Sequence, residues 1–167
     1  PFVGITRHYS IASNYATSIF NGDAVKLVTG GTVERDTADA AMTPIGVFLG
    51  CTFTDPSTKQ VTFRQSYPAN TVASDIRAYV ADGTDILFKV AVVSSGTTIG
   101  DLAITDIGAN VAGVNNAGST ITGNSQIAIS DTSATTNSLP FRIVELVEET
   151  KNSSGGFTEA LVKWNAG

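Results

Sequence analysis

Short segments in which apolar and polar side chains alternate recur along most of the chain. Residues 24–28 alternate in this way, Gly30 and Gly31 follow, and residues 32–35 alternate again. Alternation with a period of two is the pattern of a β-strand with one buried face. A glycine pair between two such segments is typical of a hairpin turn. We therefore predict a β-hairpin over residues 24–35.

The most apolar segment of the chain predicts a second hairpin. It covers residues 45–53, where Gly46 and Gly50 indicate a bulge or a close approach of another backbone. A turn rich in Asp, Pro and Ser separates it from residues 61–64, which alternate in and out. Residues 37–42, just before it, are predicted to form a short helical turn or a loop.

Two more hairpins are predicted further along the chain. The Asp-Gly pair at 82–83 is a strong turn signal between apolar residues 76–81 and 86–92. Residues 139–147 and 160–165 have the composition of two further strands, joined by a loop rich in Ser and Gly. No long amphipathic helix and no repeat with a period of 20–50 residues is visible.

Residues 94–138 differ in composition from the rest of the chain. They are rich in Ser, Thr, Asn, Gly and Ala, and they contain no aromatic residue. Isoleucine and valine recur too often for a flexible linker. We interpret the segment as an ordered, loop-rich insertion with a short strand at 126–129, whose outer tip is a candidate for solvent exposure or subunit contact.

These patterns together predict an all-β chain. The expected fold is a small barrel or sandwich of short antiparallel strands, with an extended N-terminal arm and a loop-rich insertion. At 167 residues, one domain is expected. We predict an arm at 1–20 and a single β domain at 21–167, with the insertion at 94–138.

The predicted arm is apolar and aromatic without a clear period. It either packs along its own domain or contacts a partner, because its apolar side chains would otherwise be exposed to water. If it contacts a partner, the candidate residues are Phe2, Val3, Ile5, Tyr9 and Tyr15.

Composition limits the classes of function. Charged residues make up only 15% of the chain and the net charge is −5, with no run of Lys and Arg, so a nucleic-acid partner is not expected. No apolar run approaches the roughly 20 residues of a membrane span, and no membrane partner is expected. A surface rich in Thr, Ser and Asn suits stable lateral contacts better than electrostatic steering.

The chain offers few side chains for catalysis or metal binding. His8 and Cys51 are its only histidine and cysteine, which excludes a multi-cysteine or histidine-rich zinc site. Cys51 lies in an apolar segment and is interpreted as a buried side chain. We predict no catalytic residue, metal site or cofactor. Trp164, with Tyr67 and Tyr79, could line a sugar-binding surface, although core packing is favoured for Trp164.

Two glycine-punctuated segments carry a family resemblance. Residues 22–35, followed by 44–51, resemble capsid decoration (cement) proteins of tailed bacteriophages. Residues 67–71 and 73–82 are similar to small structural proteins of phages that infect aquatic bacteria. The resemblance covers roughly residues 20–92, and similar motifs recur in several virion β-modules, including head fibres.

The resemblance implies a β-rich protein that binds the assembled shell at junctions between major capsid subunits, often as a trimer or dimer. We therefore expect a non-enzymatic virion protein on the capsid exterior, with the major capsid protein as partner and a homo-oligomer, preferably a trimer, as its state. Residues 1–8 lack the pattern of a signal peptide, so synthesis in the host cytoplasm is expected. The alternative is a carbohydrate-binding or adhesion module resembling a head fibre, which would use Trp164, Tyr67 or residues 94–138.

Overall fold

The computed structural model describes residues 6–150 and 157–165, and these are almost entirely short β-strands and their connections. Twelve strands in this part of the chain form two sheets of six, which confirms the predicted all-β class. The backbone contacts divide the chain into two compact units. The described residues of the first unit are 6–36, 44–83 and 117–126, and those of the second are 37–43, 84–116, 127–150 and 157–165.

Each unit contains six strands. Those of the first are β1 (Thr6–Ser10), β2 (Ala24–Leu27), β3 (Val33–Arg35), β4 (Gly46–Thr54), β5 (Val61–Arg64) and β6 (Arg77–Ala81). Those of the second are β7 (Phe88–Ser95), β8 (Thr98–Ile99), β9 (Asn110–Val114), β10 (Ala128–Ala134), β11 (Phe141–Leu146) and β12 (Glu159–Trp164). Two short 3-10 turns, Asp39–Ala41 and Ile104–Asp106, belong to the second unit, and the first of them confirms the helical turn predicted within 37–42.

The strands of the first unit form a closed ring. Their order is β1-β6-β4-β2-β3 with antiparallel neighbours, and a parallel bridge from Thr32, next to β3, to Ser10 on β1 closes the path. Strand β5 lies outside the ring and pairs with β4. The ring encloses a core of buried residues: Ile11, Ile19, Val25, Val33, Phe48, Cys51, Phe53, Tyr67, Ile76, Ala78 and Val80.

The second unit closes in the same way. Its order is β7-β12-β11-β9-β10, and a parallel pairing of Ile129 and Ser130 with Val92 and Val93 joins β10 back to β7. Strand β8 extends the sheet beyond β7. The closed path agrees with the barrel, one of the two predicted architectures. It contains one parallel pair, whereas only antiparallel strands are predicted.

The two rings have the same topology. In chain order, each ring runs through its first, fifth, fourth, second and third strands, and its first and third strands meet in parallel. Equivalent hydrogen bonds support the correspondence, since Gly22 N donates to Phe48 O at 2.8 Å and Gly108 N to Ile143 O at 2.9 Å. Both glycines have a positive φ, of 99° and 89°. A bulge follows Phe48 on β4 and Ile143 on β11. The chain therefore contains one strand arrangement twice.

Three of the predicted hairpins are present. Strands β2 and β3, β4 and β5, and β11 and β12 pair in antiparallel fashion. Both glycine predictions for β4 are also confirmed. The bulge between Phe48 and Gly50 is one, and the close approach at Gly46 is the other, because a Cβ there would collide with the carbonyl oxygen of Ala81.

The hairpin predicted around Asp-Gly at 82–83 is wrong. Strand β6 pairs with β1 on one side and β4 on the other, so the ring leaves it no free edge for β7. Asp82 instead closes the end of the first ring, where its carboxylate accepts a hydrogen bond from Tyr9 Oη at 2.7 Å and lies 3.2 Å from Arg7 Nη1.

Two segments differ from the predicted arm and insertion. Residues 6–20 do not form a separate arm, because β1 is a ring strand and Ile11, Ile19 and Phe20 are buried in the first unit. Residues 94–138 supply β9 and β10, which are ring strands of the second unit rather than an addition to it. The backbone contacts show two compact units, and the single domain over 21–167 stays a prediction.

Candidate binding surface

A row of aromatic side chains crosses the outer face of the first sheet. The register pairs His8 with Tyr79, and Thr52 on β4 with Phe63 on β5, which places the three rings on one face. The ring centroids of His8 and Tyr79 are 4.5 Å apart and those of Tyr79 and Phe63 are 5.8 Å apart, both in edge-to-face geometry. We call His8, Tyr79, Phe63 and Val61 the aromatic face.

A glycine allows this row to cross β4. Gly50 lies between β5 and β6 at the bulge, and a Cβ there would be 2.9 Å from both Phe63 Cζ and the carbonyl oxygen of Arg64. Its φ of 148° also falls in the range that side chains rarely adopt. The Phe63 ring therefore lies over bare backbone and reaches Tyr79.

The aromatic face is strongly exposed. Val61 is 76% exposed and Phe63 is 64% exposed. Both belong to β5, which pairs only with β4 and is an edge strand. An exposed apolar edge strand is a template for association with another chain unless it is protected. The aromatic face is therefore a candidate surface for contact with a partner.

Polar side chains border the aromatic face. Thr52 and Thr54 on β4 and Arg77 on β6 lie beside it in the same register. Thr54 donates from its backbone nitrogen and its hydroxyl to the carboxylate of Asp75, at 2.6 Å for the hydroxyl. An apolar centre within a polar rim is the usual composition of a protein–protein interface.

The second unit provides an internal comparison. At the positions equivalent to His8 and Tyr79, it has Lys89 and Leu161, which are likewise paired across two strands. Lys89 Nζ lies 2.9 Å from a carboxylate oxygen of Glu159 on the same face. One strand arrangement therefore accommodates either a charged or an aromatic face, so the ring architecture does not require the aromatic one.

The residues predicted to contact a partner from the arm lie elsewhere. Tyr9 and Tyr15 are half-buried and pack against the core of their own unit. The Tyr9 hydroxyl donates to Asp82, and the Tyr15 hydroxyl accepts a hydrogen bond from the backbone nitrogen of Arg35 at 3.2 Å. For Tyr9 and Tyr15, the structure therefore agrees with the first alternative, in which the arm packs along its own domain. The other three candidates lie outside the described residues and stay a prediction: Phe2, Val3 and Ile5.

Truncations can separate these two parts of the arm. Removing residues 1–5 is expected to leave the melting temperature unchanged, because β1 and all the buried residues that the structure describes remain. Removing residues 1–10 is expected to lower it by at least about 10 °C, because a ring strand is lost. Thermal denaturation followed by circular dichroism measures both. Equal melting temperatures for the two truncations would show that β1 does not stabilise the ring.

Two of the three residues considered for sugar binding are engaged in packing. Tyr67 is fully buried, and its hydroxyl donates to the carbonyl oxygen of Tyr15 at 3.1 Å. Trp164 packs with Phe88 and Phe141, at centroid distances of 5.0 and 5.1 Å. This confirms the packing role favoured for Trp164. Neither of these two side chains contributes to the aromatic face, whereas the third candidate, Tyr79, belongs to it.

Cys51 is a buried core residue, as predicted. Burial raises the pKa of its thiol from 9.0 to about 12, and the nearby positive charge of Arg64 opposes this only weakly. Its Sγ lies 3.8 Å from the carbonyl oxygen of Ser66. A thiol with this pKa stays protonated at neutral pH and is a poor nucleophile.

Alkylation tests this placement of Cys51. At pH 8 we expect iodoacetamide to modify the protein in urea but not the native protein, because only the unfolded thiol is accessible and partly ionised. Equal modification rates in both states would contradict the buried position.

The pKa of Cys51 also predicts how stability depends on pH. The folded thiol keeps its proton up to a pH of about 12. The free energy of unfolding should therefore fall as the pH rises from about 9, because the unfolded state loses that proton first.

One buried ion pair organises the first unit. Asp23 is 1% exposed, and its carboxylate lies 2.9 Å from Arg35 Nε. It also accepts hydrogen bonds from Phe20 N at 2.8 Å and from the hydroxyl of Ser125. Burial raises the pKa of Asp23, and these hydrogen bonds and Arg35 oppose the rise. The pair links β2 and β3 to residues 117–126 and has a structural role.

Comparisons with known proteins add no relative to this description. No protein family, curated protein or solved structure matches the chain. Within residues 6–150 and 157–165, no group of three or more His, Cys, Asp or Glu residues is placed to hold a metal ion. The helical turns described there are too short and insufficiently apolar to cross a membrane. The candidate surface therefore rests on the geometry of the chain itself.

Proposed function

We propose that the chain is a non-enzymatic structural protein of a phage virion, which binds the outside of the capsid and stabilises contacts between major capsid subunits. The observation that supports this most directly is the aromatic face. It exposes large apolar side chains on an edge strand, whereas the equivalent face of the second unit carries an ion pair.

The chemistry of the aromatic face suits a protein partner. Aromatic side chains at the centre of a polar rim are typical of the residues that contribute most to protein–protein binding. Contacts of this kind at many equivalent positions on a shell would add up, since each capsid presents the same subunit junction many times.

The resemblance supports the choice of capsid as partner. The segment that resembles cement proteins, roughly residues 20–92, supplies β2 to β6 of the first unit, and the aromatic face lies in that unit. The proposed partner is the major capsid protein. The chain is proposed to act as a homo-oligomer, with a trimer favoured, on the exterior of the virion.

Co-sedimentation tests the proposal. Purified protein is mixed with capsids that lack it, obtained from the phage whose genome encodes the chain, and the pelleted fraction is measured against concentration. We expect saturable binding and a higher temperature of genome release from the decorated capsids. Protein that stays in the supernatant at every concentration would overturn the proposal.

A further inference from the structure

The outer edge of β5 is open. Strand β5 pairs with β4 over four residues, from Val61 with Thr54 to Arg64 with Cys51. Within the described residues, no strand pairs with its other edge. The unpaired backbone groups of such an edge can accept a strand from another chain, and extended peptides bind many proteins in this way.

The ring does not need β5. The ring of the first unit closes through β1, β6, β4, β2 and β3, and β5 lies off this path. The pairing of β5 with β4 therefore serves something other than ring closure.

A cleft lies beside β5 on the face opposite the aromatic face. It has a volume of about 280 Å³, and its walls include Arg64, Phe53, Asn70, Thr71 and Val72. The guanidinium carbon of Arg64 lies 6.0 Å from the centre of the Phe53 ring, at the outer limit of a cation–π contact. The guanidinium N–H groups of Arg64 can therefore donate hydrogen bonds to a group in this cleft, whose other walls are partly apolar and partly polar.

The charges at this edge favour an acidic partner. Lys59 lies in the turn before β5, and Arg64 is the last residue of the strand. No described acidic group forms a salt bridge with either side chain. Asp55 also lines the cleft, but its Oδ1 accepts hydrogen bonds from Ser57 N at 2.8 Å and Thr58 N at 3.1 Å. These hydrogen bonds lower the pKa of Asp55, and the positive charges of Arg64 and Lys59 help to lower it, but neither of these two side chains forms a salt bridge with it, so two cations and one carboxylate lie at this edge.

We propose that β5 accepts an extended, acidic segment of the partner protein as an added strand, with a carboxylate of that segment entering the cleft beside Arg64. This inference rests on the proposed function and names its partner contact. Alternate side chains of a strand point to opposite faces. Apolar residues of the added strand would meet Val61 and Phe63 on one face. An acidic residue opposite Arg64 would lie on the other face, where the planar guanidinium can bind a carboxylate through two hydrogen bonds.

A second copy of the chain fits this edge less well. Antiparallel pairing of two β5 strands centred on Thr62 would set Lys59 of each copy opposite Gln65 of the other and Arg64 opposite Gln60. Each copy would bring a lysine and an arginine to the shared edge, and like charges brought close together are destabilising. The charge pattern thus selects an acidic strand over a copy of itself.

The test combines one substitution with hydrogen exchange. We expect Arg64→Gln to weaken capsid binding about tenfold and to reduce its dependence on salt, because a hydrogen-bonded ion pair is lost. The matched control is Arg142→Gln on β11, an exposed arginine outside the cleft, which should bind like the wild type. On capsids, the amides of residues 61–64 should exchange more slowly than in the free protein.

The outcomes separate this inference from the proposed function. If the wild type does not bind capsids, both are overturned. If it binds, but Arg64→Gln binds equally well and the β5 amides exchange at an unchanged rate, the strand addition is wrong and the capsid role stands. If the β5 amides become protected with increasing concentration in the absence of capsids, the occupant is a second copy, which also overturns the inference.

Discussion

Replacing Val61 and Phe63 together by serine is expected to reduce capsid affinity by at least about a hundredfold. Full burial of each side chain contributes about 1.5–3 kcal/mol, and each 1.4 kcal/mol corresponds to about a tenfold change in affinity. Both side chains are exposed in the free protein, so the substitution removes little from the folded core. Binding isotherms from co-sedimentation measure the loss, and thermal denaturation checks that the fold is retained.

Two control variants sharpen this prediction. Ile121→Ser removes a side chain that is 96% exposed in the same unit but lies outside the aromatic face, and it should leave affinity within about twofold. The double variant His8→Lys and Tyr79→Leu introduces the side chains found at the equivalent positions of the second unit. There, Lys89 and Leu161 are paired across two strands in the same way. The double variant should fold and bind more weakly than the wild type. Wild-type affinity in Val61→Ser with Phe63→Ser would contradict the role of the aromatic face.

Asp23→Ala is expected to cause the largest loss of stability among single substitutions at charged residues. It leaves Arg35 without its buried carboxylate and removes the acceptor for Phe20 N and Ser125. Breaking a buried ion pair from one side costs about 3–5 kcal/mol. Urea denaturation should therefore show an early transition of the first unit.

The matched control is Lys89→Ala, which removes an ion pair in which the lysine side chain is 57% exposed. Exposed pairs contribute at most about 1 kcal/mol, so the urea transition should change little. An Asp23→Ala variant as stable as this control would show that the buried pair does not hold β2, β3 and residues 117–126 together.

The sequence predicts the local pairings because their signals are local. The turns after β2 and β4 contain glycine or Asp, Pro and Ser, and each joins strands that are neighbours in the chain. The rings are formed by distant pairings, such as β6 between β1 and β4. Alternation within a single segment carries no information about which distant strand pairs with it. The pattern therefore predicts a β6–β7 hairpin that the structure does not contain.

The candidate surface illustrates a second limit. Alternation over residues 61–64 shows that Val61 and Phe63 share a face, and the usual expectation places apolar residues inside. The structure places them outside, because the register gives the inner face of the hairpin to Cys51 and Phe53. The direction of a strand's apolar face depends on its partner strand.

The two units do not appear as a sequence repeat with a period of 20–50 residues. Equivalent strands lie further apart than this in the chain, and equivalent positions hold different side chains, as Tyr79 and Leu161 show. What the two units share is a set of pairings and backbone hydrogen bonds, including those donated by Gly22 and Gly108. These depend on backbone geometry more than on side-chain identity.

The most direct test of the central claim is a cryo-electron microscopy reconstruction of capsids with the protein bound. The account predicts that His8, Tyr79, Phe63 and Val61 lie against the shell at a junction of major capsid subunits, with added density along the edge of β5. A reconstruction in which the aromatic face points to solvent, while the charged face of Lys89 and Glu159 meets the shell, would contradict it.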